Sequence, residues 1–167
     1  VKQRDDNTQL YNHIIILAKD QRGVQNLYEL SKKAWEEGYY FKPRIDRELL
    51  LEYKDGLIIL SGCMNGLIAK EIERGNLKEA ENVTRWFANN FEDFYMEIQP
   101  HNPIELNHAL VEIADKYGVP IVVTSDCHFA TKDLRAVEEA MLILSTSPKT
   151  NPEADYNKSR LINDVFE

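Results

Sequence analysis

The apolar positions of this chain fall into four short runs rich in β-branched residues, separated by stretches of helical period. His13-Ile14-Ile15-Ile16-Leu17-Ala18 has the character of a buried strand, and Lys19-Asp20 with Gly23 ends it. Val24, Leu27, Tyr28, Ala34 and Trp35 recur at helical spacing, with Gly38 as the stop. Tyr39 to Arg44 predicts an extended connector, since the residue before Pro43 avoids the helical region. Ile45 to Tyr53 predicts a short helix with Asp46 near its start. Gly56 to Cys63 repeats the opening logic, an apolar strand followed by small residues. Two helices are predicted next, roughly Gly66 to Glu73 and Lys78 to Phe91, the second with Ala80, Val83, Phe87 and Phe91 on one face.

Phe94 to Gln99 reads as the third strand and closes on Pro100-His101. Leu106, Ala109, Leu110, Ile113, Ala114 and Tyr117 form the cleanest amphipathic stripe, stopped by Gly118. Ile121-Val122-Val123-Thr124 predicts a buried fourth strand that ends abruptly at Asp126-Cys127-His128. A last helix is expected from near Thr131, with Leu134, Val137, Met141 and Leu144 inward. Strands alternating with helices predict an α/β fold, a mostly parallel sheet with outer helices. Four strands are too few to close an eight-stranded barrel, so part of the sheet is expected elsewhere in a longer chain. The ends fit that expectation. Val1 to Asn12 is polar and lacks an initiator methionine, and the Pro-, Asn- and Lys-rich stretch from Ser147 to Arg160 reads as a linker. The folded domain is therefore expected over residues 1–146 and a linker over 147–167.

Composition narrows the class. At 167 residues the chain is one domain's worth, and a net charge of -8 argues against nonspecific nucleic-acid binding through the overall field. Contact with a nucleotide at a metal centre remains open, because there the ion supplies the positive charge. Two cysteines, no signal peptide and no long apolar run predict a reducing, cytoplasmic location without a membrane span.

Three of the four strands close on metal-competent residues: Cys63; then His101, with Glu97 inside its strand; then Asp126 and His128. In α/β folds functional groups collect at the carboxyl ends of strands, and mixed N, O and S donors suit zinc or another first-row ion. Each has a plainer reading. Cys63 after Ser-Gly can be a small packed residue, and His101 can belong to a helix start with Asn102 capping and Pro103 at the first position. His108 reads as a surface residue. Lys42, Arg44 and Arg47 can meet a phosphate or stand solvated beside Asp46 and Glu48. His13 opens its strand, so either that strand runs antiparallel or the histidine reaches the site from the preceding loop.

The runs HIIILAKDQRGVQNLYELSKKAWEEGYYFKPRIDRELL, GLIILSGCMNG, YMEIQPH and VPIVVTSDCHF resemble, in order and spacing, the PHP (polymerase and histidinol phosphatase) domain. More narrowly, they look like the version found in the alpha subunit of bacterial replicative DNA polymerase III, a similarity that covers about His13 to Leu144. The resemblance implies a partial PHP-type distorted (β/α) barrel. It implies metal ligands at His13, Cys63, Asp126 and His128, with Asp126 and His128 also catalytic, and His101 and Arg44 lining the site or touching a phosphate. Divalent zinc, manganese or magnesium would serve a phosphoesterase or 3′–5′ exonuclease reaction. The family's first half, with its His-x-His pair, Thr-Asp-His segment and metal-binding glutamate, has no counterpart here, so about half the ligands are missing. The implied partners are the rest of the polymerase subunit, DNA through it, and other replisome subunits. The alternatives are a non-catalytic structural module of that polymerase and a free-standing PHP-family phosphatase.

Overall fold

A computed structural model describes residues 11–40 and 42–146. The expected linker at 147–167 and the first ten residues lie outside that range. The described residues divide into two compact units, one ending at Thr124 and the other beginning at Ser125.

The first unit is a four-stranded sheet with helices. In chain order it contains β1 (Ile15–Ala18), α1 (Gln21–Glu36), α2 (Arg47–Glu52), β2 (Leu57–Leu60), α3 (Leu67–Glu73), α4 (Leu77–Asn90), β3 (Phe94–Ile98), α5 (Ile104–Tyr117) and β4 (Ile121–Val123). The strands lie in sequence order across the sheet. β2, β3 and β4 are parallel, in register at Ile59 with Phe94 and at Met96 with Ile121. β1 runs antiparallel to β2, Ile15 opposite Leu60 and Ala18 opposite Leu57. The open, mostly parallel sheet with helical crossovers is the α/β arrangement the sequence predicts, consistent with part of a PHP-type barrel.

Caps define the helix starts. Asp20 Oδ1 accepts the Gly23 amide at 2.8 Å to start α1, and Asp46 Oδ1 accepts the Leu49 amide at 2.9 Å to start α2. The core gathers on β2 and β3, the interior strands. Ile59 and Met96 are fully buried, joined by Ile68, Val83, Leu106, Leu110 and Ile113 from α3, α4 and α5. Phe87 stacks on Phe94 with ring centroids 5.0 Å apart, which ties α4 to the sheet. Burial of each such side chain contributes about 1.5–3 kcal/mol.

Several expected burials do not hold. Ile15 and Leu17 of β1 and Ile121 and Val123 of β4 are exposed. Both are edge strands of this sheet, and an edge strand meets neighbours on fewer sides than an interior one. Tyr28 and Trp35 of α1 also face solvent, Trp35 stacking on Tyr39 at 5.3 Å, while Gly23, Leu30 and Ala34 make the buried stripe. The second unit holds a 3₁₀ turn (Lys132–Leu134) and α6 (Arg135–Thr146). Leu134, Val137, Met141 and Leu144, expected inward, are exposed. Among the described residues of that unit, no other helix or strand is available to cover the stripe.

Candidate metal centre

The antiparallel course of β1 decides where His13 lies. Because Ile15 pairs with Leu60, the beginning of β1 sits beside the carboxyl end of β2, which is where Cys63 follows. His13 donates its amide to the Asn65 carbonyl at 3.0 Å and forms a parallel bridge with Gly66. The turn between permits this through Gly62, whose φ is +86° and whose missing side chain would sit 2.9 Å from the His13 carbonyl oxygen. The result is a side-chain pair: Cys63 Sγ is 3.7 Å from His13 Nδ1, and the sulfur also accepts the Asn65 amide at 3.5 Å. Of the two placements open for His13, the antiparallel strand is the one adopted.

A buried lysine stands behind the pair. Lys70 of α3 is 7% exposed, and its Nζ donates to Asn12 Oδ1 at 3.2 Å and to the Tyr11 carbonyl at 3.5 Å. Burial lowers its pKa, the Arg74 charge adding to the effect, while Cys63 and Glu73 oppose it. Lys70 thus anchors the two residues that precede His13.

The exits of β2, β3 and β4 carry a second polar group. Glu97, 1% exposed, donates its amide to Ser61 Oγ at 2.9 Å. Its Oε1 accepts Gln99 Nε2 at 3.0 Å and the Thr124 hydroxyl, and Gln99 Nε2 also donates to Thr124 Oγ1 at 3.0 Å. Glu97 Oε2 and Gln99 Oε1 are buried without a hydrogen-bond partner among the described residues.

His101 is half-buried in the turn after β3. Asn102 does not cap α5: the capping position is Pro103, while Asn102 donates its amide to the Gln99 carbonyl and its Nδ2 to Asn107 Oδ1. Arg44 Nε donates to the Gly38 carbonyl at 3.2 Å, and its guanidinium lies 5.1 Å from the Tyr40 ring centroid. His108 is exposed, as the sequence predicts. Asp126 and His128 lie in the second unit. Asp126 adopts φ +50°, and His128 Nδ1 lies 2.7 Å from the Asp126 carbonyl oxygen. A carbonyl only accepts, so that bond places a proton on Nδ1, and in the neutral tautomer this selects Nε2 carries the lone pair, the usual arrangement of a ligand histidine.

Among the described residues no group of three or more His, Cys, Asp or Glu side chains is gathered closely enough to hold a metal ion. The donors still suit one by type. A thiol and an imidazole within 4 Å are zinc-class donors, and the buried Glu97 Oε2 and Gln99 Oε1 are acceptors without a donor. Sequence reading noted Glu97 only as lying within its strand and missed Lys70, Ser61, Gln99 and Thr124. Their one signal was a polar residue set into an apolar run, as in Met96-Glu97-Ile98 and Ile68-Ala69-Lys70.

Residues 2–101 match the model of the PHP domain family. The chain belongs to that family. PHP domains generally bind metal ions, and His13 and Cys63 of this PHP chain both fall within the matched segment. The chain is similar to DNA polymerase III subunit alpha of Thermus aquaticus, 43% identical over 148 residues, and of Aquifex aeolicus, 40% identical over 149 residues. Each alignment covers 86% of this chain, and 12% and 13% of those relatives. The corresponding protein of Borreliella burgdorferi is 33% identical over 170 residues, 99% of this chain and 15% of the relative. The PHP chain therefore spans about a seventh of the length of these relatives or less. No helix among the described residues is long and apolar enough to cross a membrane.

Proposed function

We propose that this chain is the carboxy-terminal part of the PHP domain of a DNA polymerase III alpha subunit and serves DNA replication in the cytoplasm. In this reading its partners are the remainder of that subunit, DNA bound through it, and other replisome subunits. Its own chemistry is metal-dependent phosphoester hydrolysis of the 3′–5′ exonuclease type. The observation that carries the reading is the contact of His13 with Cys63, 3.7 Å apart although 50 residues separate them in sequence.

His13, Cys63, Asp126 and His128 would hold the divalent ion or ions, with His101 lining the site. Bound there, such ions lower the pKa of water and neutralise charge on a phosphoryl group. The protein's residues do the rest. Cys63 and His13 supply soft and borderline donors from one rigid corner of the sheet. His128, protonated at Nδ1 by its bond to the Asp126 carbonyl, presents Nε2 as its donor atom. The Asp126 carboxylate accepts the proton of the attacking water.

The test is elemental analysis of the purified chain beside a Cys63→Ala/His128→Ala variant, together with hydrolysis of a 3′-terminal phosphodiester by the full-length subunit carrying the same changes. The expected result is stoichiometric zinc or manganese in the wild type, lost in the variant, with hydrolysis lost in the altered subunit. Equal metal content in both proteins would refute the ligand assignment. Metal lost with hydrolysis unchanged would refute the catalytic role.

A further inference from the structure

Helix α1 has two faces of unlike character. Gly23, Leu30 and Ala34 form the buried one. Tyr28 and Trp35, seven residues and so about two turns apart, lie together on the side away from it, 72% and 60% exposed. Tyr39, 55% exposed, follows the helix and stacks on Trp35, ring centroids 5.3 Å apart and planes inclined by 15°. The outer face of a surface helix ordinarily carries polar and charged residues. Here its middle is aromatic. Single exposed apolar residues are common on protein surfaces, but an aligned group marks a place where something else binds. Tryptophan and tyrosine are also the residues in which interfaces concentrate their energy. A pair already held by its own stacking loses little freedom when it is covered.

Area decides what covers it. At those exposures the three side chains offer roughly 300–450 Å² to a neighbour, taking about 150–250 Å² for a fully covered aromatic. A free partner or a second copy needs about 800 Å² on each side for a stable complex, because association costs translational and rotational freedom. A neighbour tethered through the same chain avoids most of that cost. Such neighbours are abundant: the alignments cover only 12–15% of the length of the similar alpha subunits. Resting on the reading of this chain as part of a polymerase subunit, we propose that the Tyr28–Trp35–Tyr39 face of α1 is a docking surface. Its occupant is a segment of that same subunit outside these 167 residues. The segment is apolar at its centre, where it meets the Trp35–Tyr39 stack, and brings polar groups at its rim to the two tyrosine hydroxyls.

The experiment compares hydroxyl-radical footprinting of the 167-residue chain with that of the full-length subunit, each normalised to its unfolded form. Reactivity follows exposure, so complete covering from exposures of 55–72% should lower it about fivefold or more at the three aromatics in the subunit. Equal reactivity in the two proteins overturns the inference. Protection already present in the chain and lost on dilution makes a second copy the occupant, and protection that appears only when another replisome subunit is added makes that subunit the occupant; either result overturns it. A Trp35→Ser/Tyr39→Ser variant is then made in both proteins. The urea midpoint of the chain is expected to stay nearly unchanged, as for other exposed positions, while the full-length subunit becomes more readily cleaved by protease just after the PHP segment. A chain destabilised by the double change, or a subunit whose cleavage is unaltered, overturns the docking role. The reading beneath it fails differently: a native protein of one or two domains without polymerase activity overturns that reading and this inference together, whereas missing protection in an active polymerase overturns the docking face alone.

Discussion

Replacing Gly62 with alanine tests the corner on which the His13–Cys63 pair depends. Two costs arise. At φ +86° an L-residue pays about 1–2 kcal/mol for the left-handed conformation, partly offset by about 0.4–1 kcal/mol from a less flexible unfolded chain. The new methyl also meets the His13 carbonyl oxygen at 2.9 Å and its carbon at 3.3 Å. That neighbour is backbone, held by the His13 amide bond to Asn65 and by the pairing of β1 with β2, so it cannot swing aside. Overpacking of this kind costs about 1–3 kcal/mol. Gly75 provides the control, with φ +77° and nothing within 4 Å of the added carbon. Gly75→Ala should cost only the net backbone term, about 0–1.6 kcal/mol, and Gly62→Ala about 1–3 kcal/mol more. Urea unfolding reads the difference; with a slope of about 1–3 kcal/mol per molar, the Gly62 variant should unfold at least about 0.3 M earlier than the Gly75 variant. Hydrogen exchange locates it, since the His13 amide should lose protection in Gly62→Ala and keep it in Gly75→Ala. Equal destabilisation by the two substitutions would refute the close approach of the β1 entrance to the Cys63 turn.

Two further outcomes follow from single residues. Asp46→Ala removes the cap of α2 and should cost about 1 kcal/mol at neutral pH. The Leu49 amide holds the Asp46 carboxyl below the usual Asp value, so its stabilisation is present above that value and lost as pH falls through the lowered folded one. The gap between wild type and variant in urea should therefore close in strong acid; a gap that persists there would refute the capping role. Lys70→Met replaces a buried ammonium, and hydrogen exchange of the segment up to His13 should quicken as the bonds to Tyr11 and Asn12 are lost. Burial depresses the Lys70 pKa, so the folded chain binds fewer protons than the unfolded one between the lowered value and the ordinary 10.5. Stability through Lys70 rises with pH across that window, a rise the methionine variant should lack. A pH profile identical in the two proteins would exclude the effect.

Much of the fold was legible because its signals are local. The acidic start of α2 at Asp46 and the glycines after α1 and α5 depend on neighbours only a few residues away, and α2, α4 and α5 follow within a residue or two. Strand identity was equally local, but strand burial was not. Ile121-Val122-Val123 has the composition of an interior strand, and only its place at the edge of the sheet leaves Ile121 and Val123 exposed. The same holds for α6, whose apolar stripe marks a face without saying what meets it. Asn102 misled for a related reason. A capping residue before proline is a good local signal, yet here Pro103 takes the capping position, and the Asn102 side chain donates Nδ2 to Asn107 while its Oδ1 accepts no amide of the helix.

The candidate site divides along the same line. Cys63 and His101 at strand exits could be read from the pattern, since a run of β-branched residues that stops at a donor is a one-dimensional feature. The direction of β1 could not, because His13-Ile-Ile-Ile reads alike in a parallel or an antiparallel strand, and direction is settled by pairing with residues 39 to 45 positions away. Glu97 lies deeper still. Within its own strand it is a polar residue among apolar ones, and its meaning comes from three partners, Ser61, Gln99 and Thr124, each on a different segment or turn of chain. Each of those partners sits two positions before a residue that sequence reading had already singled out. The donors were visible because chemistry marks them by type. Ser61, Gln99 and Thr124 carry no such mark, and their hydrogen bonds with Glu97 form only once the strands stand next to one another.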